Sequence, residues 1–234
     1  MITRVLTTLL LVLAAQPAFA GVTVSVSGQA SPYLAGMPNG STLPAGDSAP
    51  NQSPTEVVGL GFTAGSELTF DAVGSVAYNG SSFNGPDGDA GYVFSRGDAN
   101  GISGYNVTVN SLLGVFLGPD QPDGFAAPAS LDFGPPASRD YLSLAPLLRQ
   151  VFFIGDGLTS SSVVQKIVVP TGATRLFLGT ADGIEWNNNA GSFRVTVDLL
   201  PAVGVPEPST LAGLGVGVVG TVLAHRRRRA GKAG

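Results

Sequence analysis

Between Asp182 and Phe193 the chain reads DGIEWNNNAGSF, which sets Asp182, Glu185 and the run Asn187–Asn189 around Trp186, the only tryptophan of the 234 residues. Hard cations such as calcium are held by several oxygen ligands: carboxylates, Asn amides and backbone carbonyls on a loop able to curl. Asp182 offers a charged oxygen, Asn188 and Asn189 offer neutral ones, and Gly183 and Gly191 let the backbone bend. The same composition also suits a plain polar turn, because Asn side chains bond their own backbone and tolerate left-handed conformations. Both readings are open at the level of these residues.

Few other chemistries are available. Cysteine is absent, and the single histidine, His225, lies near the C-terminal end. That removes Ser-His-Asp triads, thiol nucleophiles and ordinary zinc sites from the region between Gly21 and Pro201. A glycosidase-like carboxylate pair is formally open, yet no pair stands out by its context, so catalysis is not expected. The same region holds 15 Asp plus Glu against five Arg and one Lys, a net charge of −9. Phosphate binding needs clustered positive charge, which excludes nucleic acid as a partner. Without disulfides, the domain must be held by its core or by bound ions.

A second loop bears on the first. Residues 72–89 read AVGSVAYNGSSFNGPDGD, a strand ending at Tyr78 followed by a Gly-rich loop. Three features together resemble the calcium-dependent galactophilic bacterial lectins of the PA-IL type. They are the strand ending in Tyr78, the loop Gly85-Pro86-Asp87-Gly88-Asp89, and Asp182 followed by Asn188-Asn189-Ala190-Gly191-Ser192-Phe193 behind Arg175–Leu178. The resemblance implies a calcium ion taking the Tyr78 carbonyl, the Asp182 carboxylate, a carbonyl around Glu185 and the amides of Asn188 and Asn189. It also implies that sugar hydroxyls complete the metal sphere beside Asp182 and Asn188. The loop is one residue shorter than the family's, and the family's sugar-contacting histidine falls on Tyr92. Trp186 offers a flat apolar face on which a sugar could stack, or a cover for the metal loop.

The two ends of the chain are addresses. Residues 1–20 have a basic start at Arg4, an apolar run from Leu9 to Ala15 and the small-x-small site Ala18-Phe19-Ala20, which predicts a Sec signal peptide cleaved after Ala20. Residues 205–229 run Val205-Pro206-Glu207-Pro208-Ser209-Thr210, then an apolar stretch at 211–224, then Arg226, Arg227, Arg228 and Arg229. This three-part order resembles a PEP-CTERM sorting signal. It implies a bacterial envelope protein that visits the inner membrane, meets an exosortase-type processing enzyme and is cut near Pro206 to Pro208. The 14 residues from Leu211 to Ala224 would span roughly 21 Å as a helix, against a hydrocarbon core of ~30 Å. Snorkelling arginines and local thinning can cover that difference, and a permanent single-pass anchor is the other outcome.

The elements that must position the two loops read as strands. Alternation or short apolar runs predict strands at 22–27, 67–78, 105–109, 112–117, 151–154, 166–169, 175–178 and 192–199. Asn-Gly turns at 39–40, 79–80, 84–85 and 100–101 fit a β-rich chain. The only helix candidate is 141–150, and residues 30–55, rich in Pro, Ser and Gly, read as an extended arm or long loop. Arg96-Gly97-Asp98 and the Asp-rich segments at 98–101 and 120–124 read as solvated turns. The expected fold is therefore all-β, one galactose-binding-like sandwich or jelly roll over 21–201, between a signal peptide and a C-terminal sorting helix. The expected function is calcium-dependent carbohydrate binding at the cell surface or in exopolysaccharide. The alternative is a structural matrix or envelope protein in which calcium only stabilises loops.

Overall fold

Alternating side chains in the N-terminal segment VTVSVS decide its placement: Val22, Val24 and Val26 turn inward while Thr23, Ser25 and Ser27 face out. The computed structural model describes residues 21–44 and 47–200. Its strands are, in chain order, β1 (Val22–Ser27), β2 (Thr55–Glu56), β3 (Glu67–Ala77), β4 (Phe83–Asn84), β5 (Val93–Arg96), β6 (Tyr105–Thr108), β7 (Leu112–Leu117), β8 (Leu131–Asp132), β9 (Ser143–Leu144), β10 (Val151–Phe153), β11 (Lys166–Val168), β12 (Arg175–Thr180) and β13 (Ala190–Leu199). Every helical segment among the described residues is a short 3-10 turn.

Three sheets result, as expected for an all-β sandwich. The largest runs β1-β13-β3-β11-β9, with β4 attached to β3; the second runs β10-β7-β12-β2 and the third β5-β6-β8. β13 is the spine of the first sheet, antiparallel to β1 from Val22↔Val197 to Ser27↔Ser192 and to β3 from Ala190↔Ala77 to Leu199↔Leu68. Its inward residues Phe193, Val195 and Val197 meet Leu68, Phe70 and Ala72 of β3 in one apolar core. β7 is buried at every position, as a continuous apolar run requires of a strand covered on both faces.

The cover is the segment from Ala30 to Leu43. It is a long loop, yet not a free arm: a 3-10 turn at Pro32–Leu34 carries Tyr33 and Leu34 to full burial. At Gly179 of β12 the chain comes so close that an added Cβ would sit 2.6 Å from the Ala30 carbonyl oxygen. The loop then closes through Thr55–Glu56, which adds to the edge of β12.

The helix expected at 141–150 does not form. Pro146 removes an N–H and blocks the preceding turn; Leu142 and Leu147 are 63% and 57% exposed instead of forming a buried stripe. The segment runs as β9, parallel to β11, and then a turn in which Leu147 N–H donates to Gln150 Oε1. At Asn100-Gly101 both φ angles are positive, 51° and 71°, the signature of a type I′ hairpin turn. The signal peptide and the sorting tail, including Pro206 to Pro208, the apolar stretch 211–224 and Arg226 to Arg229, lie outside the described residues.

Gly157, in the loop after β10, packs its backbone against β3 at Phe70. Its φ is +91°, and an added Cβ would overlap the Phe70 carbonyl. Gly157→Ala is expected to lower the unfolding free energy by more than about 2 kcal/mol. Gly40→Ala, at φ +94° in open space, should cost only the left-handed strain of about 1 kcal/mol. Urea unfolding midpoints of the two variants read the difference.

Candidate functional site

The loop after β12 is shaped by its own backbone. Asp182 Oδ1 accepts the Gly183 N–H, Glu185 turns the chain at φ 65°, and a 3-10 turn spans Trp186–Asn188. Asn188 N–H then returns to the Glu185 carbonyl at 2.9 Å and Asn189 N–H to that of Trp186 at 3.1 Å. The Asn189 side chain comes within hydrogen-bonding influence of the Asp182 carboxylate, so the two ends of the loop are neighbours.

Trp186 is 0% exposed, with its indole N–H donating to the Thr180 carbonyl at 3.0 Å. The expectation that this ring forms a platform for a sugar is corrected: the indole is the plug of the loop. Tyr33 meets it edge-on at 6.1 Å and stacks on Tyr105 at 5.7 Å. The Tyr105 hydroxyl in turn donates to the Asp182 carbonyl at 2.7 Å. Burial raises the pKa of both tyrosines well above the ordinary value, so both stay neutral, and Tyr105 serves the loop as a donor.

Arg96, at the end of β5, locks this cluster. Its guanidinium lies 5.1 Å from the Trp186 ring centroid and 5.3 Å from that of Tyr33. It donates to the Gly183 carbonyl and to Asp47 Oδ2, and Asp47 Oδ1 accepts the Glu185 N–H at 2.9 Å. Ser48 and Gln29 add bonds to Asn187 and Asn189, so the covering loop and the Asp182–Asn189 loop are one network. The Arg96-Gly97-Asp98 tripeptide is consequently not a free turn: its arginine is packed inside. Arg96 and Asp47 are the residues that sequence reasoning missed. The available signal was scarcity, since only six cations serve the region between Gly21 and Pro201.

The residues with calcium-type oxygens divide into two groups. Asp182 and Asn189 are 4% and 6% exposed, and Asp182 Oδ2 and Asn189 Oδ1 are buried without a hydrogen-bond partner. Asn189 Nδ2 meanwhile donates to the Gly28 carbonyl at 3.0 Å, which fixes the orientation of the amide. The register Ala77↔Ala190 puts Tyr78 opposite Asn189, one step further along. Asn188 and Glu185, by contrast, are exposed and pair with each other at 3.3 Å, and the Glu185 carbonyl is taken by Asn188 N–H. Tyr92 is 40% exposed; it packs between Tyr78 and Phe94, whose ring lies against Gly183. Asp182 carries a pKa raised to about 6, chiefly by burial, against the lowering effect of the Asn189 side chain and the Gly183 and Ile184 N–H groups. No cluster of three or more His, Cys, Asp or Glu suited to a metal occurs among the described residues. A cation here would rest on one carboxylate, an amide and backbone carbonyls.

Comparison with known proteins bears on the tail. Residues 204–229 match the PEP-CTERM protein-sorting motif. This covers Pro206, Glu207, Pro208 and Arg226 to Arg229, and makes the protein an exported one, membrane-associated before exosortase-type processing and sorting to the cell surface. No curated protein matches the chain. No helix among the described residues is long and apolar enough to cross a membrane.

Two outcomes follow from the packing of the loop. Arg96→Lys keeps the charge but loses the planar fork and the stacking face, and is expected to cost about 1–3 kcal/mol in denaturant unfolding. In chelator, folded Asp182 holds its proton up to about pH 6, whereas the unfolded chain releases it near pH 4. Its contribution to stability is therefore full below about pH 4 and lost as pH rises through about 6. Asp87 is shifted in the same direction, so the difference between wild-type and Asp182→Asn melting curves isolates Asp182.

Proposed function

We propose that the domain is a non-catalytic, calcium-dependent carbohydrate-binding module of the bacterial cell surface or exopolysaccharide matrix. One observation carries this reading: one carboxylate oxygen of Asp182 and the amide oxygen of Asn189, from the two ends of one loop, are both buried without a hydrogen-bond partner. Unpartnered buried acceptors of this kind are costly, and a cation removes the cost. Asp182 and Asn189 would hold the ion, with the carbonyl of Tyr78 on the facing strand as a third ligand. When bound, calcium supplies exchangeable coordination positions that vicinal hydroxyls of a sugar can take. Exposed Asn188, Glu185 and Tyr92 form the rim that such a sugar would meet. The path to the surface starts with Sec export by residues 1–20 and ends with cleavage near Pro206 to Pro208.

Complete burial of Trp186 and the ties from Asp47 and Gln29 favour a second reading, in which calcium only pins loops in a structural matrix protein. In both readings the ion substitutes for the missing disulfides.

Trp186 provides the test. Terbium added to the exported protein should give indole-sensitised emission that calcium displaces and that Asp182→Asn abolishes. Absence of emission from a folded protein whose melting ignores chelator would overturn the calcium site. Retention on galactose-bearing resin with release by chelator would support the lectin reading; calcium binding without retention on this or other polysaccharide resins would leave the structural one.

A further inference from the structure

A second cleft lies away from the Asp182 loop, where the turn after Pro86, the 3-10 turn Pro136–Arg139 and the hairpin 156–164 converge. Its volume is about 410 Å³, within the roughly 300–1,000 Å³ of small-molecule sites. Asp87, Asp140 and Asp156 line it together with Arg139 and Leu158.

Each polar group is aimed by the fold. Asp87 Oδ1 accepts the Asp156 N–H at 3.1 Å, and Asp156 Oδ1 accepts the Leu158 N–H at 2.8 Å. Asp140 is held by the N–H and hydroxyl of Ser160 at 2.6 and 3.0 Å. Arg139 is anchored through one terminal nitrogen, which donates to Thr108 Oγ1 and the Phe133 carbonyl at 3.3 and 3.2 Å. These bonds fix the groups without exhausting them: a carboxylate oxygen has two lone pairs and a guanidinium five donors. Ser162, on the cleft wall, sits at φ 61°, a conformation that the surrounding structure must impose on a non-glycine residue. Leu158, on the cleft wall, is 37% exposed and gives the cleft an apolar patch.

We propose that this cleft binds a sugar residue lacking an acidic group, either uncharged or bearing an amine. Ring hydroxyls donate to the three carboxylates and accept from Arg139, while Leu158 covers an apolar C–H face. The excess of carboxylates over the single guanidinium attracts an ammonium and repels a uronate. Burial and the neighbouring charge of Asp156 raise the pKa of Asp87. The site is independent of calcium and of the loop discussed above.

Saturation-transfer NMR on the exported protein in excess chelator tests this, with glucosamine, glucose, galactose and glucuronate as probes. Glucosamine should give the strongest signal and glucuronate none. Asp87→Asn, which keeps the acceptor for Asp156, should weaken glucosamine binding at least about tenfold, the loss of one charge-assisted hydrogen bond. Ala90→Trp, a plug at an exposed position on the wall, should abolish it with the fold intact. No signal in chelator, equal binding of glucuronate, or binding indifferent to the plug would overturn the proposal. Binding that requires calcium would likewise overturn it, and would support the loop site instead.

Discussion

The Arg96 guanidinium is the constraint on which the loop end of the sandwich depends. It is flanked by the rings of Tyr33 and Trp186 and bonded to Asp47 and the Gly183 carbonyl. A guanidinium so enclosed is tolerable only if its donors find acceptors, and removing one partner leaves a buried charge uncompensated. Three chain segments far apart in sequence are thereby fixed at one point: the covering loop through Asp47, β5 through Arg96 itself, and the Asp182–Asn189 loop through Gly183 and Glu185. In a chain without cysteine, this cation–π and ion-pair junction does the positional work that a disulfide performs in many exported domains.

A rigid junction has a second consequence. Once Trp186 is plugged and Glu185 tied to Asp47, the loop cannot swing out to hydrate Asp182. The carboxylate stays beside Asn189, and its affinity for a proton rises. Asp87 reaches a raised pKa by a different route, inside an open cleft and beside another carboxylate. One site is closed and short of positive charge; the other is open and rich in oriented oxygens. Those differences, rather than the shared residue type, separate a candidate ion site from a candidate sugar site.

The strands were legible because their signal is local. VTVSVS and SFRVTVDL alternate with a period of two, and they form adjacent strands with the valines inward. β7 was legible as an uninterrupted apolar run. Residues 141–150 misled because leucines at near-helical spacing outweighed one proline, although Pro146 cannot sit inside a helix. In the loop, sequence spacing located Asp182 and Asn189 but could not show that Asn188, one residue earlier in a 3-10 turn, projects to solvent. Nor could it show that Trp186 faces the core, since a lone aromatic in a polar run suits a plug and a platform equally. Asp47 and Arg96 were invisible for a stronger reason: they are 49 residues apart, and only the tertiary fold makes them neighbours.

Charge distribution narrows the choice of ion site further. Against the 15 carboxylates between Gly21 and Pro201, the described residues contain only two salt bridges, Arg96–Asp47 and Lys166–Glu67. Most of the remaining carboxylates are solvated, and water screens them cheaply. Asp47, whose side chain is 5% exposed, has Arg96 as its counter-charge. Asp182 is also deeply buried but forms no salt bridge and keeps one oxygen without a donor. A divalent cation gains most where an anion is already desolvated and fixed beside a neutral oxygen, because little reorganisation opposes binding. For the calcium site proposed above, energetics thus favour the Asp182–Asn189 pair on grounds separate from any motif, and the same grounds make solvated acidic turns such as Asp120–Asp123 poor competitors.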